Sequence, residues 1–179
     1  MDITALTPGT WNVDASHSTV GFTARHLMVT KVRGRFASFS GSITVPEDRL
    51  RASVVATVEA GSISTGDDQR DGHLRSADFL ATEEFPTLEL RSTSLRQDGG
   101  DFVLVADLTI KGVTRSVEFE LEFDGVATDP WGNTKAAFSA ETEINRKDFG
   151  LEWNVVLETG GVLVSEKVKI TLDIQAVKA

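Results

Sequence analysis

From Arg115 to Asp124 the chain alternates without a break, with Val117, Phe119, Leu121 and Phe123 set against Ser116, Glu118, Glu120, Glu122 and Asp124. Successive side chains of a β-strand point to opposite faces. A face made of Glu118, Glu120, Glu122 and Asp124 belongs in water, so the other face belongs to a core. The same period recurs along the chain. It appears at Val20, Phe22, Ala24 and Met28, at Phe39, Gly41, Ile43 and Val45, and at Ala52, Val54, Ala56, Val58 and Ala60. Leu88 and Leu90 follow, then Phe102, Leu104, Ala106, Leu108 and Ile110 after a turn at Gln97-Asp98-Gly99-Gly100. Ala136, Phe138, Ala140, Thr142 and Ile144 come next, and Val164, Val168, Ile170, Leu172 and Ile174 end the series.

About eight such strands predict an all-β chain with short antiparallel links. Eight is the number at which a sheet can close into a barrel wide enough for one small ligand, although a two-sheet sandwich shows the same alternation. The 179 residues suit a single domain spanning 1–179. Several inward positions are small: Ala24, Gly41, Ala52, Ala56, Ala60, Ala106, Ala136 and Ala140. Small residues leave a lumen open unless bulky neighbours and a covering helix fill it, and both outcomes fit the pattern. One interruption is helical: Asp67 to Leu80 carries acids at its start and a short stripe of Leu74, Ala77 and Phe79 or Leu80. It is expected near a barrel mouth, with Asp148 to Trp153 on the other side of that mouth.

Charge is unevenly spread. The net charge is −9, which argues against general affinity for nucleic acid. Yet no acid occurs from Ala15 to Pro46, where Arg25, Lys31, Arg33 and Arg35 lie. Such a segment is either an ordinary solvated strand edge or a site for an anionic group. Cysteine is absent, which excludes disulfides, thiolate chemistry and cysteine-based zinc sites. His17 and His26 lie nine residues apart, so one regular strand would turn them to opposite faces. No metal site, cofactor motif or catalytic constellation is expected. No apolar run approaches the ~20 residues of a membrane span, and the N-terminus has neither the basic start nor the apolar run of a secretory signal. The expectation is a cytoplasmic protein without stable membrane insertion.

Six blocks of sequence carry a resemblance. They are Trp11-Asn12-Val13-Asp14 with His17-Ser18, then Val20-Gly21-Phe22 with Arg25-His26-Leu27, and Val32-Arg33-Gly34-Arg35-Phe36 with Phe39 and Gly41. Arg70 to Arg75 with Asp78-Phe79, Leu108 to Thr114, and Asn145 to Leu151 complete the set. Together the chain resembles the YceI-like family of lipocalin-like, polyisoprenoid-binding proteins. The resemblance implies an extended eight-stranded antiparallel barrel, an internal apolar pocket for a long isoprenoid or similar amphiphile, and a homodimer.

On that reading the lumen would be lined by Val20, Phe22, Phe36, Phe39, Ile43, Leu74 and Phe79 in the first half. Leu108, Ile110, Phe119, Phe138, Phe149, Leu151 and Trp153 would line it in the second. A diphosphate or quinone head would stay at the mouth and meet Arg25, His26, Arg33, Arg35, Arg75 or Arg146. The expected function is non-catalytic binding, transport or storage of an isoprenoid-type lipid. The alternatives are a filled barrel that presents Phe149, Leu151 and Trp153 to a protein partner, and an enzyme acting on a lipid.

Overall fold

The alternating segment 115–124 is the middle of the longest strand, β9 (Val113–Thr128), in a computed structural model that describes residues 2–179. Before it come β1 (Gly9–Val13), β2 (Thr19–His26), β3 (Thr30–Phe36), β4 (Phe39–Val45), β5 (Ser53–Glu59), β6 (Ile63–Ser64), the helix α1 (Asp68–Arg75), β7 (Thr87–Asp98) and β8 (Asp101–Ile110). After it come β10 (Thr134–Asn145) and β11 (Lys167–Lys178). Six of these segments act as three bent strands. β1 pairs with β4 while β2 pairs with β3, and β4 pairs with β5 while β3 pairs with β6. Counted this way the chain forms an eight-stranded antiparallel β-barrel in which sequence neighbours are spatial neighbours.

Closure is made by β11. Lys167 to Val177 pair with β10, while on the other edge Lys169–Asp173 pair with β2 and Ala176–Lys178 with β1. The break between β1 and β2 has a clear cause. Asp14 caps the 3-10 turn Ala15–His17 by accepting from the Ser16 N–H and hydroxyl, and its own N–H donates to the Gln175 carbonyl at 2.7 Å. His17 therefore sits in the break, bonded to Asp14, and does not share a regular strand with His26. The Trp11 to Ser18 block is thus a corner of the barrel.

The core is two clusters with a hollow between them. At one end Leu6, Trp11, Val45, Phe102, Phe123, Ala136 and Ala176 pack together, with Ile3 against them, so the N-terminal turn plugs that mouth. At the other end Ile63, Leu80, Leu108, Ile110, Ile144, Phe149 and Leu151 form the second cluster. Between the clusters, inward residues such as Val20, Phe39, Val54 and Leu172 keep accessible surface although they face the interior. A close-packed core would have removed it. This answers the question that the small residues left open: the interior is a lumen.

The helix is shorter than the expected Asp67–Leu80. Asp67 caps it, accepting from the Arg70 N–H at 2.9 Å, and it ends at Arg75, where the Ser76 hydroxyl donates to the His73 carbonyl. Phe79 and Leu80 reach the interior from the turn that follows. Met28, inward by alternation, is instead 55% exposed, because Leu27 and Met28 form a left-handed turn between β2 and β3 with φ of 53° and 62°. Of the small inward residues, Ala24, Ala52, Ala56 and Ala140 border the lumen, whereas Ala60, Ala106 and Ala136 are packed away.

Candidate functional site

The lumen has a volume of about 320 Å³ and runs between the two clusters. Phe102 and Ile110, on the same strand, both border it. At ~3.3 Å per residue and a tilt of ~40°, their eight-residue separation spans roughly 20 Å of the barrel axis. The side chains that supply the wall are aliphatic and aromatic almost throughout. Arg146 is the one cation among the lining residues.

Most of the anticipated wall is there. Val20, Phe22, Phe36, Phe39 and Ile43 border the lumen from the first strands, and Leu74 and Phe79 from α1 and its following turn. Leu108, Ile110, Phe119, Phe138 and Leu151 border it from the second half. Two residues do not. Phe149 is 1% exposed and packs within the second cluster, outside the wall. Trp153 stacks outside, its ring 4.6 Å from His73 and 5.3 Å from Phe79, edge-on to the first and tilted to the second. With Phe79 also 5.1 Å from His73, these three rings tie the 150s segment to α1 over the mouth. Burial of Phe149 and Leu151 also removes two of the three side chains that a filled barrel was expected to present to a partner. Ile3, Leu6 and Ile63 border the lumen without having been expected to. Each is an isolated apolar residue outside any periodic run.

The six candidate head-group residues fall into three groups. Arg25, Arg33 and Arg35 lie with Lys31, Lys167 and Lys169 along an outer groove of about 1220 Å³ on β2, β3 and β11. Gly21, Phe22 and Ala24 border both this groove and the lumen, so the two meet at β2. Arg75 and Arg146 are engaged by the main chain. Arg75 donates to the carbonyls of Gly61 (2.8 Å) and Ile63 (3.1 Å), fixing α1 to the barrel wall. Arg146 is 3% exposed and donates to the carbonyls of Ser165, Leu151 and Val164. Burial lowers its affinity for the proton, and Glu166 opposes that effect. His26 is exposed at the end of β2, bridged to Val164.

The Arg70 to Arg75 block is a structural clasp. The buried Asp71 carboxylate accepts from the Thr65 N–H at 2.8 Å and its hydroxyl at 2.6 Å, while Arg70 donates to the same threonine's hydroxyl and carbonyl oxygens. Among the described residues, no group of three or more His, Asp or Glu side chains is placed to hold a metal ion, and no helix is long and apolar enough to cross a membrane.

The sequence of this closed barrel matches the family model of the YceI-like domain over residues 11–176. The chain belongs to this family. It is 37% identical over 158 residues to a UPF0312 protein of Staphylococcus aureus, covering 87% of this chain and 90% of that one. It is 39% identical over 140 residues to protein YceI of Escherichia coli, covering 78% of this chain and 73% of the relative. Among solved structures, BcnA of Burkholderia cenocepacia superposes with a TM-score of 0.77 at 20% identity, over 91% of this chain and 98% of that one. A polyisoprenoid-binding domain from Saccharophagus degradans superposes with a TM-score of 0.70 at 16% identity, over 94% and 98% of the two chains. At these identities the superpositions speak for the barrel fold.

Proposed function

We propose that this YceI-like protein is a non-catalytic carrier whose lumen takes the hydrocarbon tail of an isoprenoid-type lipid or similar amphiphile. The observation that carries the proposal is the hollow between two packed clusters, walled by side chains that keep accessible surface inside a closed barrel. An apolar void of this kind is costly when empty. Filled by a hydrocarbon tail, it gains ~25 cal/mol for each Å² of apolar surface removed from water. Tail recognition of this type reads bulk and length and needs no polar partner. The Saccharophagus domain of the same fold, described as polyisoprenoid-binding, supports the choice of tail.

The head is the part of the ligand that charge would select. Arg33 and Arg35 are the candidates, since they lie in the groove that meets the lumen at Phe22 and, among the described residues, no carbonyl engages their guanidinium groups as carbonyls engage Arg75 and Arg146. Absence of catalysis is part of the proposal, and the nearly unbroken apolar wall supports it.

Solvent extraction of the purified protein, followed by mass spectrometry, tests the reading. A stoichiometric lipid released on extraction is the expected result. Protein that carries no lipid and takes up no added prenyl alcohol would overturn it, and chemical turnover of the added alcohol would replace the carrier with an enzyme.

A further inference from the structure

The turn between β2 and β3 is built from the wrong residues for its shape. Leu27 and Met28 both hold positive φ, 53° and 62°, with Val29 donating its N–H to the His26 carbonyl at 3.1 Å. Turns of this left-handed type are normally Asn-Gly, because bulky side chains are strained there. The side chains are also not used for packing: Leu27 is 45%, Met28 55% and Val29 74% exposed. Nothing about linking two strands calls for three large apolar residues in water.

A second segment adds to the first. The Leu27 N–H donates to the Leu163 carbonyl, and the Leu163 N–H in turn donates to the Val155 carbonyl. Val156 is bridged to Val162, and Met28 lies beside Gly161. Val155 and Val156 are 45% and 82% exposed, so the two tips present one apolar surface. It lies at the end of β2 next to the lumen mouth, because Val164, bridged to His26, borders the lumen.

Behind these tips the outer face of β2 and β3 carries Arg25, Lys31, Arg33 and Arg35. Arg25 braces the turn by donating to the Val29 carbonyl. None of the four forms an ion pair among the described residues. The acids bordering the same groove are already taken: Glu143 pairs with Lys167 and Glu166 with Lys147. The nearest acids in the second tip's own loop are Glu152 and Glu158. An apolar tip backed by unpaired cations, on a protein of net charge −9, has the complementarity of a bilayer interface: apolar residues enter the acyl boundary while the cations meet anionic headgroups.

We infer that the Leu27-Met28-Val29 tip and the adjoining Val155-Val156 tip dock this protein on a lipid bilayer that carries anionic headgroups. A second copy of the chain fits the surface less well. A two-fold contact brings each patch against itself, and the four cations would then face their own counterparts. The inference builds on the carrier reading in one respect: docking here would turn the lumen mouth toward the membrane from which a lipid is taken.

Vesicle sedimentation tests it. Wild-type protein is mixed with vesicles of phosphatidylcholine containing phosphatidylglycerol, and with vesicles of phosphatidylcholine alone. The variant V29S/V156S changes two exposed side chains that do not border the lumen. Wild type should pellet with the anionic vesicles only, and release when salt shortens the screening length from ~10 Å to a few Å. The variant should bind them about tenfold more weakly, with unchanged circular dichroism and thermal midpoint. Equal pelleting of variant and wild type, equal pelleting with neutral vesicles, or no pelleting would each overturn the inference. So would a concentration-dependent dimer of the wild type that the variant abolishes, which assigns the patch to a second copy. Failure of the carrier reading is distinguishable: such a protein would dock but yield no lipid on extraction.

Discussion

The ring of Phe22 occupies the place of a side chain at position 34: a Cβ built on Gly34 would fall 2.3 Å from the ring's Cζ. The two residues are directly paired between β2 and β3. Gly34→Ala therefore forces Phe22 toward the lumen. We expect a loss of stability of roughly 1–3 kcal/mol from overpacking, together with weaker uptake of an apolar fluorescent probe. Urea denaturation and probe titration measure the two; an unchanged probe affinity would show that the ring does not move inward.

Ala140 borders the lumen opposite Leu121 on β9 and Leu172 on β11. Ala140→Leu should fill part of the hollow. The expected outcome is affinity for a prenyl alcohol about tenfold lower, because the tail loses its volume, with an unfolding midpoint that is unchanged or raised. Weaker binding accompanied by a lower midpoint would point to a distorted barrel instead.

Arg33→Gln with Arg35→Gln tests the head-group assignment. Prenyl diphosphates should lose about tenfold in affinity while prenyl alcohols lose less than about threefold, since a charge-assisted bond serves only the anionic head. Equal losses would sink the assignment.

Arg146→Ala leaves the carbonyls of Ser165 and Leu151 without the guanidinium donor, while that of Val164 keeps the Asn154 amide at 2.8 Å. A cost of about 3 kcal/mol is expected, because buried acceptors left unpaired carry the desolvation penalty. Amide exchange should speed up most across residues 151–165. Uniform acceleration over the whole barrel would argue that the arginine does not act locally.

Asp14 supplies the pH dependence. Hydrogen bonds from Ser16, and then from His17, hold its carboxyl well below the usual carboxylate range. A depressed folded value stabilises the fold at pH above the unfolded value of about 3.9, and that contribution fades as pH falls below it toward the folded value. Asp14→Asn should therefore cost roughly 1–2 kcal/mol at pH 7, and the gap to wild type should narrow below about pH 4. Urea unfolding at pH 7 and at about pH 3.5 reads both arms.

Much of this architecture was legible in the alternation. The acids of β9 could face only water, which fixed Phe119 and Phe123 inward. β3 was harder to read, and Gly34 is the reason. Its inward position is blank in the sequence because a neighbouring strand's Phe22 fills it, so Lys31 to Arg35 shows little period and reads only as a solvated strand edge or an anion site. Arg146 failed for the opposite reason. Nothing local distinguishes an arginine that reaches solvent from one that holds three carbonyls together beneath a loop. The Arg70 to Arg75 block helps carry the resemblance, which offers Arg75 as a head-group residue, yet the tertiary contacts make Arg75 a fastening between α1 and the wall.

The position of β11 has a consequence for how the molecule is made. Lys167–Lys178 join β10 to β1 and β2, so the barrel stays open until this segment has left the ribosome. At ~5–20 residues per second, β1 and β2 wait on the order of ten seconds for their partner. For that interval the lumen wall is an outside surface and two strand edges have no neighbour, the condition in which β-rich chains pair with the wrong molecule.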